Sequence, residues 1–259
     1  MNKRILVTGA TGGIGEILCD HLASLGYVLT LAARNKQNLR RLTENLIEKY
    51  GGQHRFETLD FSSSVSVTST ANTIVSRGEQ LNGMIIMPPQ APSTSESLPA
   101  GSEWQELFTR CFINPLEFLK GVLPLMENGI ESRSKVVIVS GISSAQILSH
   151  YATSNVLRCA WLAQAKTLAF AYGPKGIHFN TVSLGGTMTE EYQQGIASRA
   201  AVVNQPACDQ LAQETSNIPL RKYGSPEEVA RVIEGFLSPF SDHLTGINLL
   251  CDGGFTRSY

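Results

Sequence analysis

Apolar positions along this chain switch repeatedly between two periods. Ile5 to Val7 is a short unbroken apolar run; it gives way to a glycine-rich stretch, and then to Ile14, Ile17, Leu18, Leu22 and Leu25 at helical spacing. That order predicts strand, tight turn, helix. Tyr27 to Ala33 reads as a second strand, and residues 36–50 place Leu39, Leu42, Leu46 and Ile47 in a helical pattern before Gly51-Gly52 ends it. Phe56 to Phe61 reads as a third strand closing on Asp60, residues 65–80 as a weakly amphipathic helix, and Met84 to Met87 as a fourth strand. Residues 91–102, rich in Ser, Pro and Gly, read as a loop, followed by a helix over 103–127 and a fifth strand over Lys135 to Val139. A long helix over 150–172 and a sixth strand over Lys175 to Leu184 complete the alternation, which predicts an α/β fold built on a parallel sheet.

Composition narrows this picture in a few places. With 259 residues, 42% of them hydrophobic, the chain can fill one large domain core. A formal net charge of −1 without Lys/Arg blocks argues against a nucleic-acid or membrane surface. No apolar run approaches a membrane span, and the N-terminus enters a strand without a signal-type apolar segment, so a cytoplasmic location is expected. Cys19, Cys111, Cys159, Cys208 and Cys251 lie far apart, as do the histidines, so neither a metal site nor a disulfide framework is expected.

The candidate chemistry begins at Thr8-Gly9-Ala10-Thr11-Gly12-Gly13-Ile14-Gly15. Glycines let the backbone turn sharply and approach a ligand, and the free N–H groups and dipole of the new helix attract phosphate. At the end of the second strand stands Arg34, where an acid would bond a ribose 2′-hydroxyl and an Arg accommodates a 2′-phosphate. The alternative is that Arg34 merely opens a solvated helix.

The Thr-Gly-x-x-x-Gly-x-Gly spacing resembles the cofactor loop of the short-chain dehydrogenase/reductase family, and the resemblance extends over the whole chain through Asn180-Thr181-Val182, Tyr223-Gly224-Ser225-Pro226-Glu227-Glu228 and Asp252-Gly253-Gly254. It implies a single Rossmann-like, doubly wound, seven-stranded parallel sheet of order 3-2-1-4-5-6-7, with the ligand crevice where strands 1 and 4 diverge. It also implies an NADP(H)-dependent oxidoreductase interconverting a carbonyl and an alcohol, similar to 3-oxoacyl-carrier-protein reductases in its C-terminal half. NADP(H) is expected in preference to NAD(H), with a small-molecule or acyl-thioester substrate and a homodimer or homotetramer as the assembly.

Carried over position by position, the resemblance implies cofactor contacts at Gly9, Thr11, Gly13, Ile14, Gly15, Arg34, Asp60, Phe61, Tyr151, Asn155 and Thr189. Asp60 has an equal alternative as the cap of the following helix. Asn114, in Phe112-Ile113-Asn114-Pro115, matches a family Asn at a helix kink, and Pro115 makes a kink plausible by itself. Tyr151 matches the family's catalytic Tyr, but the Lys one turn on is Asn155, and the family's catalytic Ser position is Gly141. Ser143, two residues on, is the substitute expected to share its side if the chain stays extended. Two further departures stand out: Met87-Pro88-Pro89-Gln90 replaces Asn-Asn-Ala-Gly, and Tyr151 follows the fifth strand about three residues early by hand alignment. Arg158 could replace the missing charge, since Ser154-Asn155-Val156-Leu157-Arg158 resembles a Ser-Asn-x-x-Arg string of divergent relatives; a salt bridge or oligomer contact is the alternative. These departures leave a second function open, a catalytically impaired NADP(H)-binding sensor or scaffold. Residues 186–222 are expected to form a substrate lid.

Overall fold

A computed structural model describes residues 3–127 and 129–257. Seven parallel strands form one sheet: β1 (Arg4–Thr8), β2 (Val28–Ala33), β3 (Arg55–Thr58), β4 (Gly83–Ile86), β5 (Ser134–Gly141), β6 (Ile177–Leu184) and β7 (Asn248–Cys251), in the order β3-β2-β1-β4-β5-β6-β7. Leu6 at the centre of β1 stands opposite Thr30 of β2 and Met84 of β4. The chain reverses direction across the sheet at β1/β4, so a crevice forms at their carboxyl ends.

Side chains alternate across a strand, and a parallel sheet covered on both faces must be apolar at every position. Ile5 and Val7 accordingly enter one core with α1 (Gly13–Ser24), α2 (Lys36–Tyr50) and α9 (Pro226–Leu237). Leu6, between them, enters the other core, with α3 (Ser64–Ser76), α5 (Asn114–Val122) and α6 (Ala152–Tyr172). Both faces are closed, which leaves the strand ends as the place for a ligand.

Three boundaries differ from the sequence pattern. The third strand ends at Thr58, before Asp60, because Asp60 and Ser62 form a side-chain turn. The helix expected over 103–127 is divided into α4 (Gly101–Phe108), a π turn over Thr109–Ile113, and α5. Pro115 has no N–H to offer the carbonyl four residues back, at Cys111. Trp161 Nε1 donates to that carbonyl at 2.9 Å instead, so the kink expected at Pro115 is a π turn whose freed acceptor is satisfied from α6. The 186–222 segment holds two helices, α7 (Glu190–Val202) and α8 (Ala207–Glu214).

Candidate active site

The glycine loop is built by close approach. Gly9 has φ +66°, and a Cβ there would lie 3.1 Å from the Met87 Cβ. A Cβ on Gly15 would stand 2.2 Å from the Gly9 carbonyl oxygen, so α1 can seat on the loop only with glycine at that position. Gly13 faces Thr189, whose Cβ would be 2.9 Å from a Cβ at Gly13. No side chain caps α1, so its first-turn N–H groups remain open to an anion. Glycine at 13 lets Thr189 pack directly against the loop, and the open N–H groups of α1 beside it fit the pyrophosphate of a dinucleotide. Ile14 and Thr189 extend this cradle into the main cavity. The Met87 departure is accommodated locally: its N–H donates to Thr8 Oγ1 at 2.9 Å, joining the ends of β1 and β4.

At the adenosine end, Arg34 is exposed and close enough to Asp60 to help hold its carboxyl below the ordinary range, behind the two hydrogen bonds from Ser62 that dominate. Ser63, and not Asp60, caps α3, accepting from the Ser66 N–H. Phe61 is buried against Phe118, ring centroids 5.9 Å apart. Asn114 is buried, donates from Nδ2 to the Phe61 carbonyl at 2.7 Å and accepts from Ser64 Oγ at 3.1 Å. It ties the β3–α3 connection to the π turn and does not border the cavity.

The cavity, of about 480 Å³, lies over the carboxyl ends of β4, β5 and β6. Its α6 wall differs from the sequence expectation. Tyr151 borders the cavity but sits at the cap of α6, held there by paired backbone hydrogen bonds between Thr94 and residues 150 and 152. Asn155 does not border it: the side-chain amide donates to the Leu148 carbonyl at 3.2 Å and accepts the Leu148 N–H at 3.4 Å, pinning the preceding loop. Ser154 and Arg158 border the cavity instead, four residues apart as in Tyr-x-x-x-Lys.

Arg158 organises this wall. A Cβ at Gly141 would stand 2.5 Å from both Cζ and Nη1 of Arg158, so the guanidinium occupies the room that a side chain at 141 would need. Nη1 donates to Ser143 Oγ at 3.0 Å, and Cζ lies 5.7 Å from the centre of the Tyr151 ring. Ser143 is 2% exposed and lies outside the cavity lining, because the chain turns into a short 3₁₀ segment over Ile142–Ser144 and does not stay extended. The expected substitution of Ser143 for Gly141 is therefore not met in space; Ser143 holds Arg158. Burial lowers the pKa of the Arg158 guanidinium, against the raising influence of Tyr151. Among the described residues no carboxylate pairs with it, so the salt-bridge alternative does not hold within one chain.

The opposite wall comes from 186–223, where the sequence named no ligand. Arg199 grips Glu214 through Nε and Nη2 at 2.8 and 2.9 Å, and Gln210 Nε2 and Tyr223 OH donate to the same carboxylate at 2.7 and 3.2 Å. The Arg199 hydrogen bonds lead in holding Glu214 below its ordinary pKa, while burial leads in pushing Tyr223 up. Tyr192 meets Tyr223 edge to face, centroids 5.2 Å apart, and Tyr223 lies on Gly186, where a Cβ would be 2.2 Å from its ring. Tyr192, Glu214 and Tyr223 all border the cavity. Nothing in the local sequence marks them, because their partners are brought in by the α7–α8 turn; Ser154 appeared only within the Ser-Asn-x-x-Arg string that ends at Arg158.

A doubly wound parallel sheet with a glycine cradle at its switch point is a fold of the dinucleotide-binding type. Residues 9–256 match the family described as enoyl-(acyl carrier protein) reductase, and the chain belongs to this family of short-chain dehydrogenases/reductases. It is 26% identical to glucose 1-dehydrogenase of Gluconobacter oxydans, over 98% of this chain and 92% of that protein. It is 24% identical to the NADPH-dependent reductase BacG of Bacillus subtilis, over the full length of both. Among solved structures it resembles L-sorbose reductase from Gluconobacter frateurii complexed with NADPH and L-sorbose, at a TM-score of 0.91 and 20% identity over 100% of this chain and 98% of that one. It also resembles the NADPH-bound short chain oxidoreductase of Pseudomonas aeruginosa PAO1 containing an atypical catalytic center, at a TM-score of 0.87 and 22% identity over 99% and 98%. No described helix is long and apolar enough to cross a membrane, and no cluster of metal-binding side chains occurs among the described residues.

Proposed function

We propose that this protein is an NADP(H)-dependent oxidoreductase that interconverts a carbonyl and an alcohol, with Arg158 and Tyr151 as its catalytic residues. The observation that carries this reading is the Arg158 guanidinium lying over Gly141, in the position from which a family Ser would meet the substrate oxygen. NADPH, when bound, supplies a hydride and its electron pair to the carbonyl carbon. The rest of the chemistry belongs to side chains. Free N–H groups of Arg158 hold the carbonyl oxygen and stabilise the negative charge that collects there as the π pair moves onto it. The Tyr151 hydroxyl gives that oxygen a proton, which is restored from solvent, and the reverse sequence oxidises the alcohol. Ser143 fixes Nη1, and Gly141 leaves the guanidinium its room.

Gly9, Thr11, Gly13, Ile14, Gly15 and Thr189 would hold the pyrophosphate and its neighbours, Asp60 and Phe61 would border the adenine, and Arg34 would meet the 2′-phosphate. Residues 186–222 act as the substrate lid. The helices α4–α6 expose Ile113, Val156 and Cys159, a surface suited to a homodimer or homotetramer. The 3-oxoacyl thioester of a carrier protein is the substrate class that the C-terminal resemblance suggests. A binding protein without turnover is the second reading, favoured by the missing side chain at Gly141.

Titration with NADPH and NADH by nucleotide fluorescence is the first test. NADPH should bind more tightly by about tenfold to a hundredfold, the range of one charge-assisted phosphate contact, and Arg34→Ala should remove the difference. A screen of ketones, oxo acids and 3-oxoacyl thioesters then decides between the readings. Tyr151→Phe should slow turnover by about 10²–10⁴; NADPH binding without oxidation by any substrate would favour the scaffold.

A further inference from the structure

Two guanidinium groups stand at this site: Arg158 lines the cavity, and Arg199 lies behind Glu214, which does. Arg199 presents its Nε/Nη2 edge to Glu214, both nitrogens within 2.9 Å of a carboxylate oxygen. Arg158 holds Ser143 with Nη1 at 3.0 Å, and its Nε and Nη2 meet no acceptor among the described residues. The carboxylates that border the cavity are already employed. Glu214 accepts four donors, and Asp252 accepts the N–H groups of Gly254 and Thr256 at 2.9 and 2.8 Å. No other lining residue among those described is an Asp or Glu. Desolvating a cation without a partner is costly, and the planar fork of Arg fits two oxygens lying side by side. The cofactor would not answer this need, since its negative charge is on phosphates and its nicotinamide ribose is uncharged.

Resting on the reductase reading above, we infer that the substrate brings the anion: it is a 2-oxo acid, bound with its carbonyl oxygen and a carboxylate oxygen side by side on the open Nε/Nη2 edge of Arg158. These two oxygens are coplanar neighbours in such an acid, as the two carboxylate oxygens of Glu214 are on Arg199. The carbonyl carbon gains the hydride and its oxygen gains the proton of Tyr151, giving the 2-hydroxy acid and NADP⁺. Neutral substrates lose one charge-assisted contact in both the ground state and the transition state, so they are turned over with a lower kcat/KM.

The test compares 2-oxo-4-phenylbutanoate with its ethyl ester in NADPH oxidation, and separately titrates oxamate, a non-reducible analogue, into the protein with and without NADP⁺ by calorimetry. The acid should exceed the ester by about tenfold to a hundredfold in kcat/KM. Oxamate should bind the native protein and fail to bind Arg158→Gln, while Arg199→Lys retains it. An ester or a 3-oxoacyl thioester turned over as well as the acid would overturn the inference and leave the reductase reading standing. Oxamate that fails to bind the native protein in either condition also overturns it. Oxamate binding that needs Arg158, in a protein that oxidises NADPH with none of these compounds, upholds the anion site and overturns the reductase reading instead.

Discussion

Arg158 and Arg199 carry the same group into differently filled surroundings. Arg199 is half exposed, yet its hydrogen-bonding edge is matched by Glu214 within the chain. Arg158 is the more enclosed of the two, and it has one neutral hydroxyl acceptor, one aromatic face and a glycine left bare to admit it. The contrast separates structure from function. A cation satisfied by its own chain at a lid joint holds two helices together, whereas a half-buried cation left incomplete within the chain is open to completion by a ligand, the role proposed for Arg158.

The largest effect expected from this comparison falls on catalysis. Arg158→Gln should lower kcat/KM by about 10²–10³, the cost of removing an oxyanion donor, while NADPH affinity and thermal midpoint stay close to native. Arg199→Gln should cost less than about tenfold, and mostly in KM, because the lid loosens without losing a group that touches substrate. Steady-state kinetics on the two variants would break the comparison if the order were reversed.

Gly141→Ala sharpens the same point from the other side. A methyl at that position would stand 2.5 Å from Cζ and Nη1 of Arg158, so the guanidinium must move while its charge remains. Turnover should fall by about tenfold to a hundredfold, the scale on which a misplaced catalytic group is felt. An alanine variant with native kcat would show that the guanidinium is not used where it lies.

The smallest effect is on stability and follows the pH. Hydrogen bonds from Arg199 lead in holding the Glu214 carboxyl below its ordinary pKa of 4.5. A lowered carboxyl contributes stability fully above the unfolded value, and the contribution is lost as pH falls through the folded one. The native thermal midpoint should therefore drop below about pH 4.5 more steeply than that of Glu214→Gln. At neutral pH the variant should be less stable by about 1 kcal/mol, a modest figure because Arg199 is half exposed. Parallel curves for the two proteins would place Glu214 outside the lid's stability.

The fold was legible because its signals are local. Apolar runs, glycines at Gly9 and Gly15, and the helical spacing in α1 act within a few residues, and the resemblance extended them to the strand order later found in the sheet. The α6 wall was less legible for a reason of helix geometry. Positions three apart lie on nearly the same helical face, so a helical wheel ranks Tyr151 with Ser154 and Asn155 with Arg158. Where the helix begins decides between them, and that is set by the 3₁₀ turn at Ile142–Ser144 and the backbone pairing with Thr94. Asp60 was left between an adenine contact and the cap of the following helix, and Ser63 in the capping position removes the second.

By itself the sequence determined the alternation of strands and helices, the glycine cradle and the presence of Arg34, since each depends on residues adjacent along the chain, while the doubly wound order came with the family resemblance. Only the tertiary structure decided that Arg158 fills the space over Gly141, that Asn155 is tied to Leu148, and that Glu214 gathers Arg199 and Tyr223 from 15 and 9 residues away. The physical reason is that a charge takes its meaning from what surrounds it in space: the same guanidinium is a brace beside a carboxylate and, by our proposal, a binding group beside an open cavity.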